Sequence, residues 1–372
     1  MFILFFIFIS SIFVFLNNDL YAYLYSYFTL IHRLFKKIMK KSNTYKVPKL
    51  NAYDYPIPPY PNTWYPICLS TELKPNTLKK VKITGKEFII FRGENNVVSG
   101  INTNCPHMGV DLSYGTVKNN CVVCPFHHHC VKPEKEKEAE TKQKEEYFIE
   151  ETNNIIFIWI GELIDNKPFY SIKEIVKNYN CPEGTPYLSP YFTRNVGGHL
   201  IDYAEHLLDV HHAPYIHGVN LKPVENSMIQ TKYSFVIQFC IDETNVKPIF
   251  TYITPTFGYI EYTKDVRIYM MFIVYDVGNI DMIVLPCGTN MSGLFYSLLG
   301  ALYTQIDFAD EAAYFSTKNH NIRNLKTTEQ PMDDFRKWFI DTYYTTGQIS
   351  NFEKNKKKYK EIEAIKNFCD LI

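Results

Sequence analysis

Residues 105–127 read CPHMGVDLSYGTVKNNCVVCPFH, and four side chains in this stretch decide how the whole chain is read. Cys105 and His107 form a Cys-x-His pair, Cys124 and His127 form a Cys-x-x-His pair, and sixteen residues separate the two. Tetrahedral zinc accepts two thiolates and two imidazoles, so a structural zinc site is the plain alternative. Zinc fingers, however, typically draw both cysteines from one loop and both histidines from another. Here each loop offers one of each. One iron of a [2Fe–2S] cluster can then take both sulfurs and the other both nitrogens. Gly109 and Gly115 allow the loops to turn tightly around such a centre.

Outward from this stretch, short β-type runs lie at Thr63–Leu69, Lys80–Ile83, Glu87–Phe91, Val97–Asn102, Cys121–Cys124 and Ile155–Ile160. Gly, Asn and Pro punctuate them, which predicts a small antiparallel β-domain over 63–165. Lys132–Glu146 (KPEKEKEAETKQKEE) alternates charge without apolar periodicity and reads as a solvated excursion. The remainder, 166–372, mixes strands such as Ile249–Thr254 and Arg267–Val277 with helical stretches around Ile201–Tyr215 and Gln330–Tyr344. The fold class expected is therefore α+β, with a Lys/Glu-rich helix at Phe352–Ile365.

The formal net charge is zero, with Lys+Arg and Asp+Glu both at 39, which argues against a nucleic-acid-binding face. A hydrophobic content of 46% supports a sizeable core and excludes wholesale disorder. Nine cysteines in 372 residues are too few for a disulfide scaffold.

Residues 1–16 (MFILFFIFISSIFVFL) carry no charge, and the chain stays largely apolar to Ile31. Arg33, Lys36, Lys37, Lys40 and Lys41 follow closely, and no basic residue precedes the run. Positive-inside bias predicts one signal-anchor helix over 1–32 with the body of the chain in the cytosol. A cleaved signal or an interfacial helix is the alternative. Residues 33–62 form a basic, then Pro- and Tyr-rich linker. A cytosolic body implies reduced thiols, so Cys121 and Cys130 read as bystanders rather than a bridge.

A second constellation lies in DYAEHLLDVHHAPYIHG, residues 202–218. Four histidines fall within twelve residues (His206, His211, His212 and His217), a density that is costly as core filler because every ring nitrogen needs a partner. Asp209-x₂-His212-x₄-His217 places Asp209 and His212 on one helix face, whereas positions five apart diverge by roughly 140°. Pro214 would break or kink the helix and let both histidines converge. Two histidines and a carboxylate make the facial triad of a non-haem Fe(II) oxygenase. His211 is an alternative ligand. The carboxylate must come from downstream, where Asp307 and Asp310 in LYTQIDFADEAAYF are the candidates. Both are alternatively ordinary acids near a helix start.

The first segment resembles the Rieske domain of the Rieske-type oxygenases, and the second resembles their mononuclear-iron motif, in the family's order. The resemblance covers about Trp64–Tyr344 and implies an all-β Rieske domain followed by a helix-grip catalytic domain. It implies Cys105, His107, Cys124 and His127 as cluster ligands, and His212 and His217 as iron ligands. Asp209 becomes the bridge that passes electrons toward a cluster histidine, and Asp307 is favoured as third ligand because the family's Asp lies in a Gln-containing turn entering a helix. Two departures stand out. The family usually continues His-Gly-Trp after the last cluster ligand, whereas His127 is followed by His128, His129 and Cys130. It often has Asn where this chain has His206.

FRKWFIDTYY at Phe335–Tyr344 resembles a C-terminal segment of the steroid-type branch, the 3-ketosteroid 9α-hydroxylases and sterol 7-desaturases. An amphipathic aromatic helix packing on the core explains it equally. With the N-terminal anchor, the resemblance points to the membrane-bound cholesterol 7-desaturase branch. It implies an endoplasmic-reticulum enzyme acting on a sterol with O₂. Electrons from NAD(P)H would enter through a separate reductase and the [2Fe–2S] cluster to reach the mononuclear iron, and the family is commonly homotrimeric. Steroid hydroxylation is the alternative within the class. A membrane-anchored Rieske electron carrier, or a lipid-binding protein with a degenerate iron site, is the alternative outside it.

Overall fold

A computed structural model describes residues 51–133, 147–179, 192–206, 208–218, 220–225, 227–241, 247–319 and 330–369. The expected anchor over 1–32 and most of the charged excursion lie outside the described residues. Among the described residues, no helix is long and apolar enough to cross a membrane.

The first half is built from short antiparallel strands. β1 (Thr63–Leu69) pairs with β9 (Ile155–Ile160), which also pairs with β8 (Ile149–Thr152). β2 (Thr77–Ile83), β3 (Lys86–Arg92) and β4 (Val98–Asn102) form a meander. β5 (Thr116–Lys118), β6 (Cys121–Val123) and β7 (Cys130–Val131) form the small sheet that carries the second cluster loop. β1 and β9 are continuous apolar runs rather than alternating ones, and the structure explains why. Every residue of β1 and all but the last of β9 are buried, as expected of strands covered on both faces. The expected strands at 63–69 and 155–160 are found with those bounds.

The second half is one eight-stranded antiparallel sheet. It runs β10 (Phe192–Asn195), β17 (Asn279–Gly288), β16 (Val266–Asp276), β15 (Phe257–Thr263), β14 (Ile249–Thr254), β13 (Phe235–Ile241) and β11 (Leu221–Pro223), with β12 (Ile229–Gln230) paired to β13. Short helix α1 (Ile172–Asn178) precedes the sheet in the chain, and α2 (Leu200–His206) and α3 (Ala213–Ile216) follow its first strand. The long α4 (Met291–Thr317) lies across β17, β16 and β10. At Gly300 a Cβ would fall 2.6 Å from the Ile268 Cδ1 methyl, so a larger residue there would require that side chain to move. α5 (Gln330–Tyr343) and α6 (Thr346–Cys369) complete the chain's described part.

The expected helix over Ile201–Tyr215 is instead two helices. The break comes before Pro214, which sits in the first turn of α3 where its missing N–H costs nothing.

One apolar core joins the halves. Phe157 of β9 meets Phe257 of β15 with ring centroids 5.5 Å apart, and the Thr256 hydroxyl donates to the Trp64 carbonyl at 2.5 Å. The β2–β3 turn adds backbone bonds, Thr84 N–H to Val274 O and Gly85 N–H to Tyr275 O, both 2.7 Å. Lys82 and Tyr60 converge on Asp276 at 3.0 and 3.1 Å.

Candidate metal centres

The two cluster loops are built alike. Cys105 N–H donates to Val110 O at 2.8 Å and Cys105 O accepts from Gly109 N–H at 2.8 Å; Cys124 N–H donates to His129 O at 2.9 Å and Cys124 O accepts from His128 N–H at 3.1 Å. Each cysteine therefore caps a turn that closes four residues later on a left-handed residue, Gly109 (φ 74°) or His128 (φ 56°). The positive φ at this turn suits the glycine that the family resemblance leads one to expect, and here His128 bears its steric cost.

Both sulfurs are buried and both histidines exposed. The His107 and His127 rings lie 5.0 Å apart, against 6.3 Å for His107 and His129, so the structure brings the two histidines chosen from spacing together. The Phe126 backbone N–H lowers the Cys124 thiol against the penalty of burial, and His127 N–H adds to it, which favours the ligating thiolate. Cys121 and Cys130 are not bystanders. They form a disulfide that closes the base of the second loop, with Cα atoms 5.7 Å apart. The expectation of free thiols there is corrected: the β6–β7 pairing places Cys130 opposite Val123 and brings Cys121 within reach.

The second constellation converges as well. His212 and His217 flank the single turn of α3 at its two ends, and their Nε2 atoms lie 3.0 Å apart. Asp209 lies on the other side of His212, with Oδ2 3.6 Å from Nδ1. Burial lowers the His212 imidazole's pKa, and the neighbouring Asp209 opposes that shift.

The carboxylate that meets them is Glu311 of α4. Its Oε1 lies 2.9 Å from His217 Nε2 and 3.0 Å from His206 Nε2, and its side chain is only 2% exposed. Burial pushes its carboxyl up, yet the facing imidazoles of His206 and His217 hold it well below the usual carboxylate range. The ligating atoms of His206, His212, His217 and Glu311 all lie within 4.8 Å of one another. The side chains of Asp307 and Asp310 lie outside the described residues. His211 is exposed and does not belong to the group.

A model of the Rieske [2Fe-2S] domain family matches residues 63–146. The cholesterol 7-desaturase of Hemicentrotus pulcherrimus is 29% identical over 177 residues, covering 44% of this chain and 37% of that protein. The Drosophila melanogaster cholesterol 7-desaturase is 33% identical over 112 residues, covering 27% of this chain and 26% of that one. The chain thus matches well under half the length of these relatives. The structure of Pseudomonas putida NdmA with caffeine superposes with a TM-score of 0.52 at 16% identity, over 74% of this chain and 89% of that one; the likeness is one of fold. The chain carries a Rieske [2Fe-2S] domain and is similar to Rieske-type oxygenases in sequence and fold.

The matched domain implies a Rieske [2Fe–2S] cluster, and the donor sets fit both that cluster and a mononuclear iron. Two buried thiolates beside two exposed imidazoles suit the mixed cluster. At the second centre, neither Glu311 oxygen makes a well-aligned hydrogen bond despite the short distances to imidazole nitrogens. Buried carboxylate oxygens are costly in that state unless a cation takes their lone pairs. Cis donors held at about 2.1 Å from an octahedral ion would be about 3.0 Å apart, close to the separations of His217 Nε2 from His212 Nε2 and of Glu311 Oε1 from His206 and His217.

Sequence reasoning missed Glu311 and His206 as members of this group. Glu311 lies four residues after Asp307, one helical turn on the same face. That periodicity was the available signal, overlooked because the resemblance implied an aspartate.

Proposed function

We propose that this chain is a membrane-associated Rieske oxygenase that desaturates a sterol at C7–C8. The convergence of His212, His217 and Glu311 beside an apolar cleft carries this reading, together with the likeness to cholesterol 7-desaturases. Phe250, Tyr252, Phe257, Met270 and Phe272 line the cleft with Tyr203, and its enclosed space is small, about 20 Å³, so a sterol would have to open it. Tyr203 lies on α2 one turn before His206, and Phe315 packs against both, at 4.9 Å from the Tyr203 ring and 5.2 Å from the His206 ring. The cleft and the metal group therefore share a helix and an aromatic wall.

His212, His217 and Glu311 are the proposed iron triad, and Cys105, His107, Cys124 and His127 the proposed cluster ligands. When bound, the cluster passes single electrons and the mononuclear iron activates O₂. The chain's own residues set the conditions. With His212 Nε2 facing the metal group, Nδ1 is left on the side of Asp209, 3.6 Å from Oδ2, where a slight closing would let the carboxylate orient the ring. Asp209 is partly exposed, and His107 and His127 are exposed. This supports Asp209 as an electron bridge to the cluster of a neighbouring copy in a homotrimer. The cleft's apolar and aromatic lining suits a hydrophobic substrate. Desaturation removes one hydrogen from each of C7 and C8. With O₂, two electrons and two protons, the products are the alkene and two waters, the electrons coming from NAD(P)H through a separate reductase. Residues 1–32 would hold the enzyme at the endoplasmic-reticulum membrane, where the substrate is concentrated.

Mass spectrometry of sterols from cells fed cholesterol, with and without this chain, tests the reading. A product lighter by two hydrogens with conjugated 5,7-diene absorption is expected. A product heavier by one oxygen would make the enzyme a steroid hydroxylase. An unchanged sterol profile beside an intact Rieske spectrum would overturn the sterol assignment.

A further inference from the structure

His206 belongs to the metal group by geometry, although a facial triad has no place for it. It is the last residue of α2, and its side chain is 13% exposed. Its Nε2 approaches the same Glu311 oxygen, Oε1, that His217 Nε2 approaches, at 3.0 and 2.9 Å. Its ring stacks on His212 with centroids 3.9 Å apart and planes inclined by 29°. One donor atom from each of His206, His212, His217 and Glu311 lies within 4.8 Å of the others, so His206 presents a ring nitrogen to the same centre as the triad.

The backbone supports the same role. Glu205, the preceding residue, is gripped by Arg336 through two hydrogen bonds of 2.5 and 2.8 Å, which pins the end of α2 against α5. An imidazole at the next position is therefore held in place before any metal arrives, and a ligand already ordered loses little entropy on binding.

We infer that His206 is a fourth protein ligand to the mononuclear metal, making the site three imidazoles and one carboxylate. This rests on the iron reading above and extends it. An octahedral ion with three protein ligands keeps three positions open; with His206 bound it keeps two. O₂ and one further small ligand then fill the site, and a water retained beside O₂ and a third ligand has no position left.

Cobalt(II) exchanged into the mononuclear site of the purified full chain, with its Rieske cluster intact, provides the test. X-ray absorption at the cobalt edge counts imidazole ligands without interference from the cluster irons. Three imidazoles are expected in the wild type and two in His206→Asn, with cobalt affinity lowered roughly tenfold or more and the cluster's visible spectrum unchanged. His206→Gln replaces the asparagine variant if that one does not fold, and the wild-type count stands without either. Two imidazoles in the wild type, or three in both proteins, would overturn the inference while leaving the triad in place. Cobalt that fails to bind stoichiometrically, or that binds equally well in His212→Ala, would overturn the iron reading along with it.

Discussion

Arg336 holds Glu205 with a two-pronged grip, Nε to Oε1 at 2.5 Å and Nη2 to Oε2 at 2.8 Å, and the carboxylate is 1% exposed. Lys318 supports the same helix through Asp202 at 2.8 Å. Two buried acids on α2 are thus balanced by cations from C-terminal elements. The Phe335–Tyr344 segment does more than pack aromatics on the core. Phe335 and Phe339 fill it, while Arg336 between them reaches the helix that ends at the metal group.

Arg336→Leu should strip the fork from buried Glu205 and leave Lys318, 4.0 Å away, to offset its charge in part, so the loss should fall below the cost of a fully broken buried pair, about 3–5 kcal/mol. Arg336→Lys keeps the charge and loses the fork, so a smaller loss is expected. Thermal unfolding measures the first effect, and cobalt occupancy at the mononuclear site measures displacement of α2. The paired change Glu205→Gln with Arg336→Met should recover part of the loss, giving a favourable coupling in a double-mutant cycle. Additive losses would show that the grip contributes nothing as a pair.

Glu311→Gln removes the charge from the proposed carboxylate ligand with little change in shape. The expected outcome is at least a tenfold loss of mononuclear metal affinity with an intact Rieske spectrum. Asp307→Asn and Asp310→Asn should keep the metal. Metal retained in Glu311→Gln and lost in either aspartate variant would transfer the role to that aspartate.

Much of this was legible in the chain itself. Cys105, His107, Cys124 and His127 are bound to short loops between strands, so spacing alone carries their geometry. The apolar runs at 63–69 and 155–160 are buried on both faces and so announced themselves by composition. The long helix Met291–Thr317 did not, because its apolar residues face several surroundings and hardly segregate to one side. His206 and Glu311 lie more than a hundred residues apart in the sequence, and only the packing of α4 beside α2 brings them together. The Cys121–Cys130 bridge depends likewise on the register of β6 with β7, which no spacing rule supplies.

Asp276 makes the joint between the two halves sensitive to acid. Burial raises its carboxyl, but the hydrogen bond from Lys82, with those from Val277 N–H and Tyr60, outweighs burial and lowers it overall. A lowered folded-state pKa means that its contribution is fully present above the unfolded value of about 3.9. The contribution is lost as pH falls through the folded value. The side chain is 48% exposed, so solvent screening keeps the effect small. Urea unfolding from about pH 7 down to about pH 2 should show a shallower acid decline in Asp276→Asn than in the wild type. Identical acid limbs would remove Asp276 from the account.

His128 offers the sharpest check on the second cluster loop. Its φ of 56° matches the 74° of Gly109 at the corresponding turn of the first loop, and an L side chain there costs about 1–2 kcal/mol. His128→Gly relieves that cost and gives back about 0.5–1 kcal/mol through the freer unfolded chain. A net gain of roughly 0.5–1 kcal/mol is therefore expected, seen as cluster absorbance that persists to higher temperature. His128→Val, with a β-branched side chain in the same conformation, should lose absorbance earlier than the wild type. Neither change should alter the cluster's paramagnetic resonance signature, because the His107 and His127 rings, 5.0 Å apart, form the facing pair. A signature lost in His128→Gly and kept in His127→Gly would make His128 the ligand, and the turn would then have to be built the other way round.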